Sequence, residues 1–375
     1  MASITGTSMI LMNDFKAEPI ALQEAMLDSV SRVLKSGWYV LGKEVECFEN
    51  AWAKTCGTSH AVGVGNGLDA IEIALRAAGI GPGDEVITTP MTAFATVLGI
   101  VRAGATPVLA DIVPHSGLLS IESVSRCISS RTKAIVLVHL YGQLRNMAAW
   151  VDFCSGHGIH LVEDCAQAHL AAAAGGFAGS FGRAGAYSFY PTKNLGTMGD
   201  AGALVTNDSE LTAKATRLRN YGQSVRYYHQ ELGMNSRLDE IHAAILLERL
   251  QWLPVFTEKR QRIARIYSEN IRNTKVRLLA PPEEQSAHVY HLFVVTCQNR
   301  DALQAHLHEA GIQTLIHYPI PLHRQDPCRG IKCDPRGLQK SEEHARSCLS
   351  LPCHPQMLDA DIEAVVAAVN SFGGK

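Results

Sequence analysis

The chain has 375 residues, of which 46% are hydrophobic and 19% are charged, so it can bury a large core in one large and one smaller domain. Its 34 basic and 36 acidic side chains give a formal net charge of -2, which gives no indication of a nucleic-acid partner. No apolar run reaches the roughly 18 residues that a membrane span needs, and the start lacks the pattern of a secretory signal. We therefore expect a cytoplasmic globular protein.

The first two thirds of the chain alternate short apolar runs with segments of helical period. Helical segments between the earlier runs include LDAIEIALRAAG, TAFATVLGIVRAG and NMAAWVDFCSGHG. The alternation predicts an α/β fold with a mostly parallel sheet, helices on both faces, and a ligand at the carboxyl ends of the strands. The runs that we predict as strands are HAVGVG (60–65), DEVITTP (84–90), TPVLADI (106–112), KAIVLVHLYG (133–142), IHLVEDCA (159–166), GAYSFYP (185–191) and GALVTND (202–208).

After about residue 235 the pattern becomes one long helical stretch, in which Pro254 predicts a break or kink. From roughly residue 280 onward, predicted strands (HVYHLFVVTC and QTLIHYP) alternate with predicted helices (RDALQAHLHEAG and DADIEAVVAAVNSF). We therefore predict a large domain of residues 1–250 and a small α+β domain of residues 251–375.

The ten cysteines lie mostly within apolar stretches, which is more typical of reduced core thiols than of a disulfide framework. Two pairs with four residues between partners would also suit a zinc site; these are Cys328, Cys333, Cys348 and Cys353. Cys348 falls within the helix-like segment SEEHARSCLSL, where a small buried apolar residue is the simpler interpretation. We therefore predict no metal site.

The glycine-rich segment GVGNGLDA (63–70) follows a predicted strand and opens a predicted helix. Backbone N–H groups and the helix dipole at such a point can hold a phosphate. A dinucleotide site is an alternative, but the spacing is GxGxG instead of GxGxxG, and no acidic residue ends a second strand at the expected distance. A tight turn without a ligand explains this segment alone equally well.

A second candidate segment is LVEDCAQAH (161–169), where a predicted strand runs into Glu163 and Asp164. A carboxylate there could bind a metal or a ribose, cap a helix, or pair with a protonated ring nitrogen. Lys193 follows in SFYPTKNLG, where partial burial would make its amine reactive toward an aldehyde. A lysine, an aspartate and a phosphate cradle are the three parts that pyridoxal phosphate needs.

Two more residues suit the same cofactor. Ser188, five residues before Lys193, could add a hydroxyl to the phosphate, and Phe94, after the second predicted strand, could stack on the ring. Each has a simpler interpretation, because a phenylalanine is by default a core aromatic and a serine hydroxyl is usually satisfied locally. It is the order of all these residues along the chain that favours pyridoxal phosphate.

With these residues in place, the sequence resembles the sugar aminotransferases that act on nucleotide-linked keto sugars, within the aspartate-aminotransferase fold type, fold type I. The resemblance covers nearly the whole chain, and QTLIHYPIPLHRQ is similar to the subgroup that aminates carbon 3 of a dTDP-linked 3-keto-6-deoxyhexose. The motifs that carry it are SGWYVLGKEVECFE, GVGNGLDAIEIAL, GDEVITTPMTAFAT, LVEDCAQAHLAAAAG, SFYPTKNLG, GDAGALVTND, LRNYGQ, LGMNSRLDEIHAAIL and SLPCHP.

The resemblance implies a role for each matching cofactor residue. Lys193 would carry the cofactor as a Schiff base and move protons between substrate and cofactor. Asp164 would pair with the pyridine nitrogen, and Gln167 would hydrogen-bond the ring hydroxyl. The phosphate would be bound by the backbone amides of Gly67 and Leu68 and by the hydroxyl of Ser188.

The resemblance also implies a homodimer with shared active sites, because Asn235 would reach the phosphate of the neighbouring subunit's cofactor. Tyr190, His317 and Tyr318 would bind the sugar, and Arg226 would approach the substrate from the second chain. One position departs from the pattern. Leu170 directly follows His169, where a glycine is expected, and this difference would alter a turn.

The implied reaction is a two-step transamination from an amino acid, which we expect to be L-glutamate, to the C-3 keto group of a dTDP-linked sugar, with ping-pong kinetics. Relatives that aminate carbon 4 share all the cofactor residues, so amination at carbon 4 is the main competing hypothesis. Two hypotheses from other classes are a non-catalytic sensor and an oxidoreductase that uses a dinucleotide. A nearer one is a dehydratase on the same fold, in which histidine replaces the lysine. The presence of Lys193 argues against the sensor and the dehydratase.

Overall fold

A computed structural model describes residues 9–373 of the chain. Within this range the strands are β1 (His60–Val64), β2 (Glu85–Thr88), β3 (Thr106–Leu109), β4 (Thr132–Val138), β5 (His160–Asp164), β6 (Ala172–Ala173), β7 (Gly176–Phe177), β8 (Ala184–Ser188), β9 (Gly202–Thr206), β10 (Gln223–Val225), β11 (Tyr228–His229), β12 (Val276–Leu278), β13 (Phe293–Cys297), β14 (Lys332–Cys333) and β15 (Cys348–Leu351). The α-helices are α1 (Ile20–Ser36), α2 (Lys43–Cys56), α3 (Gly67–Ala77), α4 (Phe94–Arg102), α5 (Ile121–Cys127), α6 (Met147–His157), α7 (Ser209–Leu218), α8 (Glu240–Leu250), α9 (Leu253–Asn270), α10 (Arg300–Glu309), α11 (Gln339–Ser347) and α12 (Asp359–Ser371).

The central sheet has eight strands in the order β1-β9-β8-β5-β4-β2-β3-β14. Only β9 is antiparallel to its neighbours, β1 and β8, and every other neighbouring pair is parallel. All seven predicted strands overlap a strand of this sheet, which confirms the mostly parallel α/β fold. β14 was not predicted, because a strand of two residues has no periodicity to detect.

Helices cover both faces of the central sheet. Successive residues of a strand point to opposite faces, so Val86 and Ile87 of β2 enter two different hydrophobic cores. One core holds residues of α3, α4 and α7, and the other holds residues of α2, α5, α6 and α8. Because both faces are buried, the strands consist of continuous apolar runs rather than alternating ones.

The long helical stretch after residue 235 is two helices separated just before Pro254. α8 ends at Leu250 and α9 begins at Leu253, so Pro254 lies in the first turn of α9. Proline is tolerated there because the first N–H groups of a helix have no intrahelical partner. The break predicted at this proline is therefore confirmed.

A second, antiparallel sheet has the order β12-β13-β15 and packs with α9, α10 and α12 around its own core. Two predictions for this part of the chain are wrong. QTLIHYP forms no strand, since only Leu315 makes an isolated bridge, to Ser350. Cys348 is not helical, because α11 ends at Ser347 and Cys348 begins β15, although the residue is buried as expected.

β14, which follows residue 250 in the chain, pairs with β3 and so extends the central sheet. The division of the chain at residue 250 stays a prediction. All ten cysteines are free thiols. Within residues 9–373, no helix is both long and apolar enough to cross a membrane.

Candidate active site

The candidate site lies where parallel strands of the central sheet end. β1, β5 and β8 are parallel to one another, so their carboxyl ends lie along the same edge of the sheet. β1 leads into the glycine segment that starts α3, β5 ends at Asp164, and β8 ends at Ser188. The fold therefore brings the three predicted parts of the site to one edge.

The phosphate cradle is formed by the start of α3 and the end of β8. A Cβ atom on Gly67 would lie 2.7 Å from the Cβ atom of Ser188, so the two backbones can approach this closely only because residue 67 is glycine. Asn66 caps the helix, because its side-chain oxygen accepts a hydrogen bond from the N–H of Asp69 (2.8 Å). The first N–H groups of α3, including that of Leu68, have no intrahelical partner and can bind a phosphate beside Ser188.

Asp164 is held rigidly at the end of β5. Its Oδ2 atom accepts a hydrogen bond from Thr96 Oγ1 (2.8 Å), and its Oδ1 atom accepts one from the N–H of Ala166 (3.2 Å). The residue is only 6% exposed, and within residues 9–373 no basic side chain forms an ion pair with it. Its carboxylate can therefore accept a hydrogen bond from a protonated ring nitrogen.

Glu163, the other acidic residue of this segment, does not face the site. Its two oxygens accept hydrogen bonds from the N–H groups of Gly179, Phe181 and Gly182 (2.8 to 2.9 Å), and Oε2 also contacts His139 Nε2 at 2.8 Å. The carboxylate is completely buried and fixes the loop before β8. Because successive side chains of β5 point to opposite faces of the sheet, the carboxylates of Glu163 and Asp164 face different surroundings.

Lys193 occupies a turn just beyond β8, where its N–H donates to the carbonyl of Tyr190 (2.8 Å). Desolvation lowers the pKa of its ammonium from 10.5 to about 8, and the negative charge of Asp164 opposes part of this shift. Gly196 is needed in the same turn, because a Cβ atom there would overlap the carbonyl oxygen of Pro191. In the folded chain, the position of Lys193 between an apolar run and glycines therefore gives an amine that loses its proton easily.

Gln167 presents hydrogen-bond donors to the site. Its Oε1 atom accepts a hydrogen bond from the N–H of Tyr141 (2.6 Å), and its Nε2 atom donates to the hydroxyl of Tyr318 (3.4 Å). The side chain is 6% exposed. An amide nitrogen in this orientation suits an oxygen acceptor such as the predicted ring hydroxyl.

Phe94 is not a core aromatic. It is the first residue of α4 and is 39% exposed, so the simpler interpretation of this residue is wrong. Thr96 in the same helical turn bonds Asp164, which places the start of α4 at the edge of the sheet that carries the site. An exposed aromatic at this point is available to stack on a planar ring.

The predicted sugar-facing residues His317 and Tyr318 lie beside the cofactor residues. Burial, and then the charge of Lys193, lowers the pKa of His317 to about 4, and its Nδ1 atom contacts Ser350 Oγ at 2.8 Å. Burial, and then the charge of Asp164, raises the pKa of Tyr318 to about 12. Tyr190, the third residue of this group, is 50% exposed.

Two predicted residues, Asn235 and Arg226, do not join the other predicted site residues within the single chain. Asn235 is exposed and forms an isolated backbone bridge with Asn220. Arg226 is exposed in the hairpin of β10 and β11, with its guanidinium 5.0 Å from the ring centre of Tyr227. In the part of the chain that the structure describes, neither side chain has a hydrogen bond or ion pair to Lys193.

Leu170, which departs from the family pattern, has a φ of 67°. This is the left-handed region that favours glycine and costs other residues roughly 1 to 2 kcal/mol. Its side chain is partly buried against the core on one face of the sheet. Leu170 therefore adopts a backbone conformation that glycine adopts more readily, and an altered turn relative to the family stays a prediction.

Sequence reasoning missed several residues around the predicted set, among them Tyr141, whose N–H bonds Gln167. Thr96 bonds Asp164, and its only signal was its place two residues after Phe94. Asn194, which follows Lys193, contacts His291 (Oδ1 to Nδ1, 3.1 Å). Burial, and then the charge of Lys193, holds the pKa of His291 well below its ordinary value. No local pattern marked His291, because it lies 97 residues from its partner.

The site fits pyridoxal phosphate. A helix start closed against Ser188 offers amides to a phosphate. Asp164, which has no ion-pair partner within residues 9–373, offers a carboxylate to a ring nitrogen, and Lys193 offers an amine of lowered pKa to an aldehyde. Together with the mostly parallel sheet, this set defines a pyridoxal phosphate-dependent transferase of fold type I.

The chain belongs to the DegT/DnrJ/EryC1/StrS aminotransferase family, whose model matches residues 21–370. The dTDP-3-amino-3,6-dideoxy-alpha-D-galactopyranose transaminase of Aneurinibacillus thermoaerophilus is 43% identical over 97% of this chain and 100% of its own length. A pleiotropic regulatory protein of Geobacillus stearothermophilus is 40% identical over 96% and 98%. The crystal structure of S. venezuelae DesV in complex with a ketimine intermediate is 41% identical over 97% and 98% of the two chains, with a TM-score of 0.93. The protein is an aminotransferase that uses pyridoxal phosphate.

Proposed function

We propose that this aminotransferase transfers the amino group of L-glutamate to the C-3 keto group of a dTDP-linked 3-keto-6-deoxyhexose, in deoxyamino-sugar biosynthesis. The observation that carries this proposal is the position of Tyr318, whose hydroxyl lies 3.4 Å from Gln167 Nε2. Tyr318 and His317 belong to the segment that resembles the 3-amino subgroup. The name of the Aneurinibacillus relative, a dTDP-3-amino-sugar transaminase, supports the same assignment.

When bound, pyridoxal phosphate supplies an aldehyde and a ring that withdraws electrons. Lys193 removes the α proton of the amino-acid donor and later delivers a proton to C-3 of the sugar, which an amine with a pKa of about 8 can do near neutral pH. Asp164 would keep the ring nitrogen protonated, and Gln167 would donate a hydrogen bond to the ring hydroxyl. The amides of Gly67 and Leu68 and the hydroxyl of Ser188 would hold the phosphate, and Phe94 would stack on the ring.

His317, Tyr318 and Tyr190 bind the sugar in this proposal. Because the low pKa of His317 keeps its ring neutral above about pH 5, the imidazole serves as a hydrogen-bonding group and not as a fixed charge. The high pKa of Tyr318 keeps its hydroxyl protonated, so it can donate to a sugar oxygen.

The functional unit in this proposal is a homodimer in which Asn235 and Arg226 reach the site of the other subunit. The hairpin that carries Arg226 exposes large apolar side chains, with Tyr227 81% exposed and Val225 65% exposed. Leu232, beyond the hairpin, is 90% exposed. An exposed apolar group of this kind marks an interaction surface, and its position next to Asn235 supports a shared site.

The proposal is tested by incubating the enzyme with L-glutamate and a panel of dTDP-linked 3-keto and 4-keto sugars, with the new C–N bond located by NMR. We expect an amine at C-3. An amine at C-4 would support a 4-aminotransferase and reject the regiochemistry proposed here, and the absence of any sugar amine would reject the substrate class. Different amino acids in place of glutamate test the donor in the same assay.

The name of the Geobacillus relative raises a regulatory role as a second candidate. A sensor that only binds the cofactor has no need of a proton carrier, whereas Lys193 is present with its pKa lowered to about 8. Repeated turnover of a sugar substrate in the assay above would favour the enzyme. Cofactor binding without turnover of any sugar in the panel would favour the sensor.

A further inference from the structure

We propose that Tyr141 is a positioning residue that holds the sugar-binding segment of His317 and Tyr318 against the cofactor residue Gln167. The proposal rests on the function proposed above, because it assigns Tyr141 to the half of the reaction that uses the sugar. Tyr141 lies just beyond the carboxyl end of β4 and is 1% exposed, so it does not contact a substrate itself.

The backbone of Tyr141 is held in an unfavourable conformation. Its φ of 66° lies in the left-handed region, which costs a tyrosine roughly 1 to 2 kcal/mol. This conformation accompanies the hydrogen bond from its N–H to Gln167 Oε1 (2.6 Å). Because that bond occupies the amide oxygen, the amide nitrogen of Gln167 is left to face Tyr318.

The side chain of Tyr141 extends to the sugar-binding segment. Its hydroxyl donates a hydrogen bond to the carbonyl of His317 (2.7 Å) and contacts His344 Nε2 at 2.8 Å. A carbonyl oxygen only accepts, so the single hydroxyl proton goes to His317 and the His344 ring must donate its Nε2–H to the hydroxyl. The hydroxyl is thus satisfied on both sides, which fixes its position.

Three contacts therefore hold His317. Its backbone carbonyl accepts hydrogen bonds from the Tyr141 hydroxyl (2.7 Å) and, over a longer distance, from the Cys348 thiol (3.7 Å), and Ser350 holds its ring through Nδ1 at 2.8 Å. Removing the Tyr141 hydroxyl leaves the carbonyl only the weak thiol donor but leaves the N–H that orients Gln167 in place. The expected defect is therefore in sugar binding and not in the reaction with the amino-acid donor.

The test separates the two half-reactions in the cofactor-loaded Tyr141→Phe variant. The reaction with L-glutamate is followed by the change in absorbance of the cofactor. The reaction with the dTDP-keto sugar is followed by the return of that absorbance to its starting value. We expect the glutamate half-reaction to stay within about twofold of wild type and the KM for the sugar to rise about tenfold, as the loss of one buried hydrogen bond predicts. Equal slowing of both half-reactions, or an unchanged KM for the sugar, would overturn the proposal.

Tyr267→Phe is the matched control. Tyr267 is also completely buried, and its hydroxyl donates to the carbonyl of Pro352 (2.9 Å) in the core around the second sheet. The variant loses the same kind of hydrogen bond at a position outside the candidate site. We expect both of its half-reactions to match wild type.

Hydrogen exchange provides a measurement that needs no substrate. In the cofactor-loaded protein, the Tyr141→Phe substitution should speed amide exchange in peptides from residues 313–320. In the Tyr267→Phe variant, exchange in these peptides should match wild type. Unchanged exchange in this segment would contradict the positioning role. If wild-type enzyme aminates no dTDP-keto sugar, the proposed function fails, while hydrogen exchange still decides whether Tyr141 holds the segment.

Discussion

At the scale of single residues, two opposing effects set the pKa of Lys193. Desolvation lowers the pKa of the ammonium from 10.5 to about 8, and Asp164 raises it in part. At pH 7 about one amine in ten is then neutral, against about one in 3,000 for an unshifted lysine. Burial therefore supplies most of the reactivity that an aldehyde-binding lysine requires.

The first prediction is a titration of Lys193 in the cofactor-free protein. Competitive acetylation with peptide mapping should give half-maximal reactivity near pH 8, since only the neutral amine reacts. In Asp164→Asn the midpoint should move lower, because the charge that stabilises the ammonium is gone. A midpoint near 10.5 in the wild type would contradict the effect of burial.

The same shift has a consequence for stability. The pKa of Lys193 is lower in the folded chain than in the unfolded one, so the unfolded state binds more protons between about pH 8 and pH 10.5. This single group therefore adds stability as the pH rises through that window. At lower pH both states carry the proton, and the folded chain bears the full cost of the desolvated ammonium.

Among the elements, the site depends on the contact between the start of α3 and the end of β8. Gly67 allows this contact because the Cβ atom of any other residue would lie 2.7 Å from Ser188 Cβ. Both elements meet at the same edge of the sheet, so a phosphate bound there would contact helix amides and a hydroxyl together.

The second prediction concerns Gly67→Ala. The added methyl group forces α3 and β8 apart, so we expect the affinity for pyridoxal phosphate to fall about tenfold or more, measured by titration of the cofactor-free protein. Gly156→Ala is the control, because a Cβ atom at this position in α6 has no neighbour within 4 Å among the residues that the structure describes. That variant should bind the cofactor normally and gain about 0.5 to 1 kcal/mol of stability. Equal affinities in both variants would argue against the cradle.

The strands of the central sheet were predictable because burial on both faces produces continuous apolar runs bounded by turn residues. The same reasoning wrongly predicted a strand at QTLIHYP. Its partly buried apolar residues pack against the core, and its backbone forms only a single bridge, from Leu315 to Ser350, instead of a ladder of strand hydrogen bonds. β14 could not be predicted in this way, because a strand of two residues has no detectable apolar pattern. Local propensity does not encode such pairings, which depend on the surrounding fold.

In the whole molecule, the candidate site joins parts that are far apart in the chain. Gln167 and Tyr318 are separated by 151 positions, and Tyr141 and His344 by 203. The identities of Lys193, Asp164 and Ser188 could be predicted from their order and their resemblance to a family. The connecting residues Tyr141, Thr96 and His291 could not, because only the folded chain brings them next to the predicted ones.

The third prediction tests the proposed homodimer. Lys193→Ala and Asn235→Ala should each be inactive or nearly so, but mixing and re-associating the two variants should restore up to about a quarter of wild-type activity. The reason is that half of the dimers then contain both variants, and one of their two sites has an intact Lys193 and an intact Asn235. Activity that stays at the level of the separate variants would contradict a site shared between subunits.

The covalent bond between cofactor and protein can be located directly. Reduction of the pyridoxal phosphate-loaded enzyme with borohydride, followed by peptide mapping, should place the adduct on Lys193, and Lys193→Ala should give no adduct and no sustained transamination. An adduct on any other lysine, or turnover at the wild-type rate in Lys193→Ala, would contradict the assignment of Lys193 as the residue that carries the cofactor.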